Sequence, residues 1–275
     1  MPASLPLSGR VALVTGVSRR AGIGAALVER LLADGARVYA SGWTAHDDEM
    51  PWGADAGGRD ALLADLGGEN DELVHRPSDL ESPTAPAALV DAVVAHYGAI
   101  DIVVANHGRS SHQSFAEVTA EELDRCWAVN ARASLLLAKH LGEVREPGPG
   151  GRVLTFTSGQ HIGPMTNEIA YAVSKGAIHQ MTESLSDALI DRGITVNCLN
   201  PGPIDTGYAT GRAHARIAKM FPARRWGQPE DVAKFVAWLC SDEAAWLTGQ
   251  VFDHEGGFRR WARFDLERDR DRART

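Results

Sequence analysis

The chain has 275 residues, of which 44% are hydrophobic and 23% charged, so it can bury a substantial core and is neither a fibre nor largely disordered. A formal net charge of -8 argues against a nucleic-acid surface, no apolar run approaches the ~18 residues that span a bilayer, and the N-terminus does not read as a secretory signal. We therefore expect a single cytoplasmic domain with no nucleic-acid or membrane partner.

The first predicted unit is a strand, a glycine-rich turn and a helix. Residues 10–15 form a short apolar run, and an apolar-periodic helix follows from about residue 22 to 34. Gly16, Gly22 and Gly24 would let the backbone turn tightly and approach a pyrophosphate at the start of the helix. Such a turn alone is equally typical of a tight βα connection, but at the first strand of a βα series it predicts a dinucleotide site.

A second strand is predicted at residues 36–41, followed by Gly42. The stretch 44–58 is rich in Gly, Asp and Ala and is predicted to be an extended loop before a short helix at 59–66. This loop could be a solvated insertion or could cover the adenosine end of a cofactor.

Two further strands are predicted at residues 72–77 and 100–105, with a helix from about 83 to 97 between them. A longer helix follows from 119 to about 141. It contains Asn130, which is locally unfavourable in a helix and would need hydrogen-bond partners if buried.

The segment from Ser158 to Lys175 carries the clearest chemical signal. It follows a buried strand at 151–157, and Tyr171 and Lys175 are four residues apart, on one face of a helix that runs to about Gly193. A free tyrosine has a pKa of roughly 10, so a nearby ammonium would be needed to stabilise its phenolate at neutral pH. This pair is a candidate for proton transfer.

The last predicted elements are a strand at 194–199, a Pro- and Gly-containing loop at 200–206, a mobile lid at 207–222, a helix from Pro229 and a strand at 248–253. Seven strands alternating with helices predict a Rossmann-type doubly wound parallel sheet with ligand at the carboxyl ends of its strands. The domain is expected to span residues 1–258, followed by a charged tail at 259–275. The three cysteines, Cys126, Cys198 and Cys240, are interpreted as core residues, and no metal site is predicted.

These motifs together resemble the short-chain dehydrogenase/reductase superfamily, and the Ser-Arg-Arg loop resembles its ketoacyl-carrier-protein-reductase-like subgroup. The resemblance covers about residues 9–258. Its most specific parts are Ser158 thirteen positions before Tyr171, the Tyr-x-x-x-Lys motif and the loop at 200–206. The chain departs from the family pattern in a first glycine loop that is two residues longer, and in Ala105 and His107 in place of the first asparagine and the alanine of Asn-Asn-Ala-Gly.

The resemblance implies four catalytic residues. Tyr171 would donate a proton to a carbonyl, Ser158 would orient the carbonyl oxygen, Lys175 would bind a ribose and stabilise the phenolate, and Asn130 would position a relay water. His107 could face substrate, but packing is its more usual role.

The resemblance also implies NADP(H) as cofactor. NAD-binding members carry an acid after the second strand, where this chain has Gly42, and Arg19 and Arg20 could pair with a 2′-phosphate. The expected cofactor-binding residues are Gly16, Ser18, Arg19, Arg20, Gly22, Ile23, Gly24, Ser41, Asp79, Leu80, Asn106, Gly108, Tyr171, Lys175, Pro201, Gly202, Ile204 and Thr206.

The function hypothesis is an NADP(H)-dependent oxidoreductase that interconverts a ketone and a secondary alcohol. Two alternatives stay open: a non-catalytic dinucleotide-binding sensor or scaffold, and a dehydratase, epimerase or enone reductase of the same fold. The substrate-pocket candidates are His161, Met165, Asn167, Glu168, Tyr208 and Trp226. A homotetramer is expected to form through outward apolar residues of two long helices, namely Leu135, Leu136, Leu185 and Leu189.

Overall fold

The computed structural model describes residues 4–261. Within them, seven parallel strands form one sheet in the order β3-β2-β1-β4-β5-β6-β7. The strands are β1 Val11–Thr15, β2 Arg37–Gly42, β3 Leu73–Pro77, β4 Ile102–Ala105, β5 Gly151–Phe156, β6 Ile194–Asn200 and β7 Val251–Asp253. The central strands β1, β4, β5 and β6 are buried along their whole length, which explains why β1 and β4 are almost entirely apolar.

Helices cover both faces of this sheet. They are α1 Ile23–Ala33, α2 Thr44–Glu49, α3 Gly58–Asp65, α4 Ala85–Tyr97, α5 Ala120–Cys126, α6 Ala133–Val144, α7 Ile169–Ile190, α8 Gly211–Met220 and α9 Pro229–Cys240. Helices α1 and α9 bury Leu27 and Val236 against one face, while α4, α6 and α7 bury Val93, Leu137 and Leu189 against the other. This layering confirms the predicted single α/β domain of the doubly wound class.

The strand order reverses at β1, which pairs with β2 on one side and with β4 on the other. The connections that follow β1 and β4 therefore run to opposite sides of the sheet. They leave a crevice at the carboxyl ends of these two strands, where ligands bind in this class of fold. Gly16 begins the turn after β1 with a φ of 74°, and a Cβ there would lie 2.7 Å from the Cα of His107. Only glycine fits this position without strain.

The structure corrects two expectations about helices. The prediction of an extended loop over residues 44–58 is wrong in its first half, which forms α2. Of the four leucines expected to point outward, Leu189 is buried and Leu185 packs against the same core cluster, whereas Leu135 is exposed. The broad apolar arc of α7 is therefore used largely against the sheet.

The predicted helix from residue 119 is continuous but changes its hydrogen-bond pattern in the middle. Between α5 and α6, Trp127–Arg132 forms a π-helical segment, a local widening that is frequent at functional sites. Among the helices within residues 4–261, none has the length and hydropathy required to cross a bilayer.

Candidate active site

Two adjoining cavities open at the carboxyl ends of the strands. The first, of about 330 Å³, runs from Ser41 at the end of β2 across the crevice to Tyr171 on α7. The second, of about 350 Å³, lies beyond Tyr171 and is bounded by the loops after β4, β5 and β6. We call them the crevice cavity and the outer cavity.

Most of the predicted cofactor residues line the crevice cavity. They are Gly16, Ser18, Arg19, Gly22, Ile23, Ser41, Asp79, Leu80, Asn106, Gly108, Tyr171, Lys175, Pro201 and Thr206. Gly202 and Ile204 line the outer cavity. Gly24 lines neither cavity but packs on the turn after β1, where an added Cβ would lie 2.3 Å from the carbonyl oxygen of Gly16.

The turn after β1 and the start of α1 form a cradle that fits a dinucleotide phosphate. The Asn106 side chain fixes this turn by donating to the carbonyl oxygens of Thr15 (3.1 Å) and Gly16 (3.2 Å). Helix α1 has neither a side-chain cap at Gly22 nor an acid in its first turn. Its first backbone N–H groups and its dipole are thus available to an anion in the crevice cavity.

The end of β2 has no room for an acidic side chain at the position after Ser41. A Cβ on Gly42 would lie 2.2 Å from the carbonyl oxygen of Val17, because the lengthened loop passes directly over it. The Val17 N–H donates to Ser41 (2.9 Å), which holds the loop in this place. The path of the loop therefore leaves no space for a side chain at residue 42.

The two arginines of this loop diverge. Arg19 lines both cavities, its guanidinium carbon lies 5.8 Å from the ring centroid of Trp52, and its buried Nε has no hydrogen-bond partner within residues 4–261. Such a buried cationic donor fits an anionic group on a ligand. A turn closed by the Gly22 N–H to the Arg19 carbonyl (3.1 Å) carries Arg20 outward to Asp65 (3.5 Å). The structure therefore does not bring Arg20 to the crevice cavity.

Tyr171 and Ser158 meet in the outer cavity. Burial raises the pKa of Tyr171 to about 12, and a hydrogen bond with Ser158 partly offsets this effect. The ammonium of Lys175 lies 5.7 Å from the centroid of the Tyr171 ring and donates to the Phe156 carbonyl (2.8 Å). Burial lowers the pKa of Lys175 to about 8. The phenol is thus protonated at neutral pH, and the lysine carries a charge that its surroundings disfavour.

Asn130 lies in the π-helical segment and is completely buried. Its Oδ1 accepts from the Arg109 N–H (2.7 Å), and its Nδ2 donates to Ser174 (2.8 Å) and to the Arg109 carbonyl (3.0 Å). These partners satisfy the amide and anchor the loop after β4 to α7. A Cβ on Gly108 would lie 3.6 Å from Lys175 Nζ and 3.7 Å from Asn130 Oδ1, so both side chains approach the same part of the crevice.

His107 has a structural role. Its Nε2 donates to the Val129 carbonyl (2.9 Å), since a carbonyl can only accept, and its Nδ1 then accepts from the Thr15 hydroxyl (2.6 Å). Burial, with a contribution from Lys175, lowers its pKa to about 3. The His107 imidazole is therefore neutral and makes two hydrogen bonds, which join β1 to the π-helical segment. It is not a proton-transfer group at neutral pH.

Three of the six residues predicted to line a substrate pocket do so: Met165, Glu168 and Tyr208. His161, Asn167 and Trp226 lie outside both cavities. His161 is 3.0 Å from Asp253 of β7, and the Trp226 indole donates to the His214 carbonyl (2.9 Å) and so anchors α8.

Several cavity residues have no clear signal in the sequence. Helix α2 brings His46 and Glu49 to the crevice cavity, where both contact the buried Arg109. Trp52 and Arg260 line the outer cavity although both lie in segments without a motif. Their only hint is position, since the first follows β2 and the second follows the last strand. Within residues 4–261, no group of His, Cys, Asp and Glu side chains is placed to hold a metal ion.

A parallel doubly wound sheet with an anion-binding turn after β1, and with Ser158, Tyr171 and Lys175 beside the crevice, points to the class of nicotinamide-binding oxidoreductases. A family model described as enoyl-(acyl carrier protein) reductase matches residues 16–259. The chain belongs to the short-chain dehydrogenase/reductase superfamily. Members of this superfamily bind a nicotinamide cofactor and act on small molecules.

Three similar proteins illustrate the relationship. An uncharacterized oxidoreductase of Bacillus subtilis is 33% identical over 251 residues, covering 90% of this chain and 96% of its own. The structure of a short-chain dehydrogenase/reductase from Serratia marcescens has a TM-score of 0.78 at 30% identity and covers 92% of this chain and 99% of its own. A blue fluorescent protein from a metagenomic library, solved in complex with NADPH, has a TM-score of 0.79 at 29% identity with the same two coverages.

Proposed function

We propose that this protein is an NADP(H)-dependent oxidoreductase that interconverts a ketone and a secondary alcohol. One observation carries the proposal: Tyr171 lines both cavities and so stands where a nicotinamide in the crevice cavity would meet a carbonyl compound in the outer cavity. A proton donor at that junction can act on the carbonyl oxygen while the carbonyl carbon faces the cofactor.

When bound, the nicotinamide supplies or accepts the hydride. Residues of the chain donate the proton and bind the carbonyl oxygen. With its pKa raised to about 12, Tyr171 remains protonated at neutral pH and donates to the oxygen of the reduced carbonyl. The Ser158 hydroxyl orients that oxygen, and Lys175 holds a ribose hydroxyl and stabilises the phenolate. Asn130 holds the loop after β4 against α7, and its contribution to catalysis is the placement of this loop beside Lys175.

The preference for NADP(H) rests on charges around the crevice cavity. The position after Ser41 has no acid to repel a 2′-phosphate. The buried Nε of Arg19, which has no hydrogen-bond partner among residues 4–261, offers a charge-assisted donor. The NADPH-bound blue fluorescent protein shows that a chain of similar fold accepts this cofactor.

The test compares Tyr171→Phe with the parent protein on a panel of ketones, secondary alcohols and enones, followed through nicotinamide absorbance. We expect a loss of turnover of roughly 10²–10⁴-fold with near-normal NADPH binding, because only the transferable proton is removed. Tyr97→Phe is a matched control, since Tyr97 donates to the Val38 carbonyl far from both cavities.

Normal turnover by Tyr171→Phe would show that another group is the proton donor. A parent that reduced only the carbon–carbon double bond of the enones would belong to a different reaction class. A parent that bound NADPH without turning over any compound would favour the non-catalytic sensor or scaffold.

The proposal includes a homotetramer. Trp127, Leu135 and Val173 lie on the outer face formed by the π-helical segment, α6 and α7, and are 51%, 39% and 57% exposed to solvent. A second copy of the chain would cover this apolar surface.

A further inference from the structure

One side of the outer cavity is polar and is built from two loops. Ser111 and His112 lie in the loop after β4, and Glu168 immediately precedes α7. The loops are joined by the Ile169 N–H, which donates to the carbonyl of Gln113 (3.1 Å). His112 Nδ1 lies 3.6 Å from a carboxylate oxygen of Glu168. The three side chains therefore lie on one side of the outer cavity, which we call the polar wall.

Ser111 indicates that this wall is built to receive a ligand. It lines the outer cavity and is only 4% exposed, yet its hydroxyl oxygen has no hydrogen-bond partner within residues 4–261. A buried hydroxyl without a partner is destabilising unless something bonds to it. A polar group of a bound molecule would supply that bond.

The polar wall lies beside the reacting centre. Glu168 is the residue immediately before α7, Tyr171 lies in the first turn of that helix, and both side chains line the outer cavity. The Glu168 carboxylate also contributes to the raised pKa of Tyr171, as expected for a close neighbour. A carbonyl compound held by Tyr171 in the outer cavity would therefore share that cavity with Glu168.

The remaining walls combine apolar surface with charges of both signs. Trp52, Met165 and Tyr208 give the cavity apolar surface, and the Trp52 ring meets the edge of His112 at 6.4 Å between centroids. The guanidinium groups of Arg19 and Arg260 line the same cavity and would repel an ammonium. A carboxylate would meet Glu168. These features together favour a neutral polar substituent on an otherwise apolar molecule.

We propose that Ser111, His112 and Glu168 form a subsite for a hydroxyl group on the carbon adjacent to the reacting carbonyl, so that the substrates are 2-hydroxy ketones and the corresponding vicinal diols. This inference rests on the proposed ketone reduction and names its substrate class. A hydroxyl group matches the wall because it can donate to the Glu168 carboxylate while it accepts from Ser111 or His112. A site built to bond a hydroxyl discriminates strongly against the analogue that lacks it, because its own polar groups are left unpaired.

The experiment uses matched substrate pairs that differ only in this hydroxyl: 3-hydroxybutanone with butanone, 2-hydroxycyclohexanone with cyclohexanone, and 2-hydroxyacetophenone with acetophenone. The parent protein is expected to show a kcat/KM about ten- to hundredfold higher for the hydroxylated member of each pair that fits, the range that one hydrogen bond to a charged group supports. Glu168→Ala should abolish the preference by raising KM for the hydroxylated member towards that of the unsubstituted ketone.

Two further variants separate binding from general damage. Glu168→Gln keeps an acceptor oxygen and should restore part of the preference. Glu183→Ala, on the exposed surface of the same helix, should keep all of it. Equal kcat/KM within every pair, or a higher value for a 2-amino ketone, would overturn the subsite while leaving ketone reduction intact.

Binding gives a second measurement that needs no turnover. Calorimetric titration of the same pairs into the NADPH complex of Tyr171→Phe should give a Kd at least tenfold lower for the hydroxylated member. Equal Kd values would refute the subsite. If the parent reduced none of the ketones but this difference in Kd persisted, the proposed reaction would fail and the subsite would stand.

Discussion

The buried ammonium of Lys175 should make the stability of the protein depend on pH in a specific direction. The side chain is 3% exposed, and burial lowers its pKa from 10.5 to about 8. Between these pH values the unfolded chain binds a proton that the folded chain has released. The free energy of unfolding therefore rises as the pH increases from 8 to 10.5, and this gain is lost as the pH falls through 8.

The size of the effect follows from the two pKa values. The difference between 10.5 and about 8 corresponds to about 3 kcal/mol, since one pKa unit is worth about 1.4 kcal/mol. Other groups, including the tyrosines and the buried cysteines, also titrate at alkaline pH, so the parent protein alone cannot isolate the lysine. Lys175→Met removes the charge, keeps most of the volume and leaves those other groups in place.

The assay is urea unfolding of the cofactor-free parent and Lys175→Met at pH 7 and pH 10. The parent should gain about 2–3 kcal/mol more than the variant over this interval, which ends before the unfolded lysine has fully titrated. Saturating NADPH should reduce that difference, because a ribose hydroxyl held by the ammonium would favour the charged form. An identical pH response of the two proteins would show that burial does not destabilise the ammonium. Lys175 would then have no electrostatic reason to bind a ribose hydroxyl in the crevice cavity.

Three other predictions test the cofactor site, the first turn and the assembly. Arg19→Ala should weaken NADPH binding by about ten- to hundredfold and NADH binding much less, whereas Arg20→Ala should change neither affinity. An equal loss of affinity for both cofactors in Arg19→Ala would contradict a contact with the 2′-phosphate. Gly16→Ala should lower the free energy of unfolding by more than Gly53→Ala. Both glycines have a positive φ, but only at Gly16 would the added Cβ lie 2.7 Å from backbone atoms of His107. Equal losses in urea unfolding would show that the positive φ alone is the cause. Light scattering should give about four times 29.5 kDa for the parent and a smaller species for Trp127→Asp, and a parent of 29.5 kDa would refute the tetramer.

The strands and the turn after β1 could be predicted because their causes are local. The central strands β1 and β4 are almost entirely apolar, and Gly16 occupies a position that only glycine tolerates. The spacing of Ser158, Tyr171 and Lys175 also defines their placement, since a strand end and one helix face fix three side chains relative to one another. These features need no knowledge of distant contacts.

Helix α2 could not be predicted because its causes are distant. Residues 44–49 are polar, lack helical apolar periodicity and form too short a helix to be stable alone. It is held instead by tertiary contacts: Glu49 pairs with Arg109 (3.2 Å), and His46 accepts from the Ser110 N–H (3.1 Å). The inward packing of Leu189 has a similar explanation, because a broad apolar arc does not indicate which part of it meets the sheet.

Three segments outside the shared family motifs converge on the outer cavity. The lengthened glycine loop contributes Arg19, the segment after β2 contributes Trp52, and the chain beyond the last strand contributes Arg260. Tyr171, Ser158 and Lys175, by contrast, stand on elements that the family pattern shares. If the proposed function holds, Trp52 and Arg260 act on substrate choice rather than on the reaction itself. Replacing Trp52 or Arg260 by alanine should therefore change KM among ketones of different size and polarity more than it changes kcat on the best of them. A uniform loss of kcat across the panel would show instead that these segments support the catalytic residues themselves.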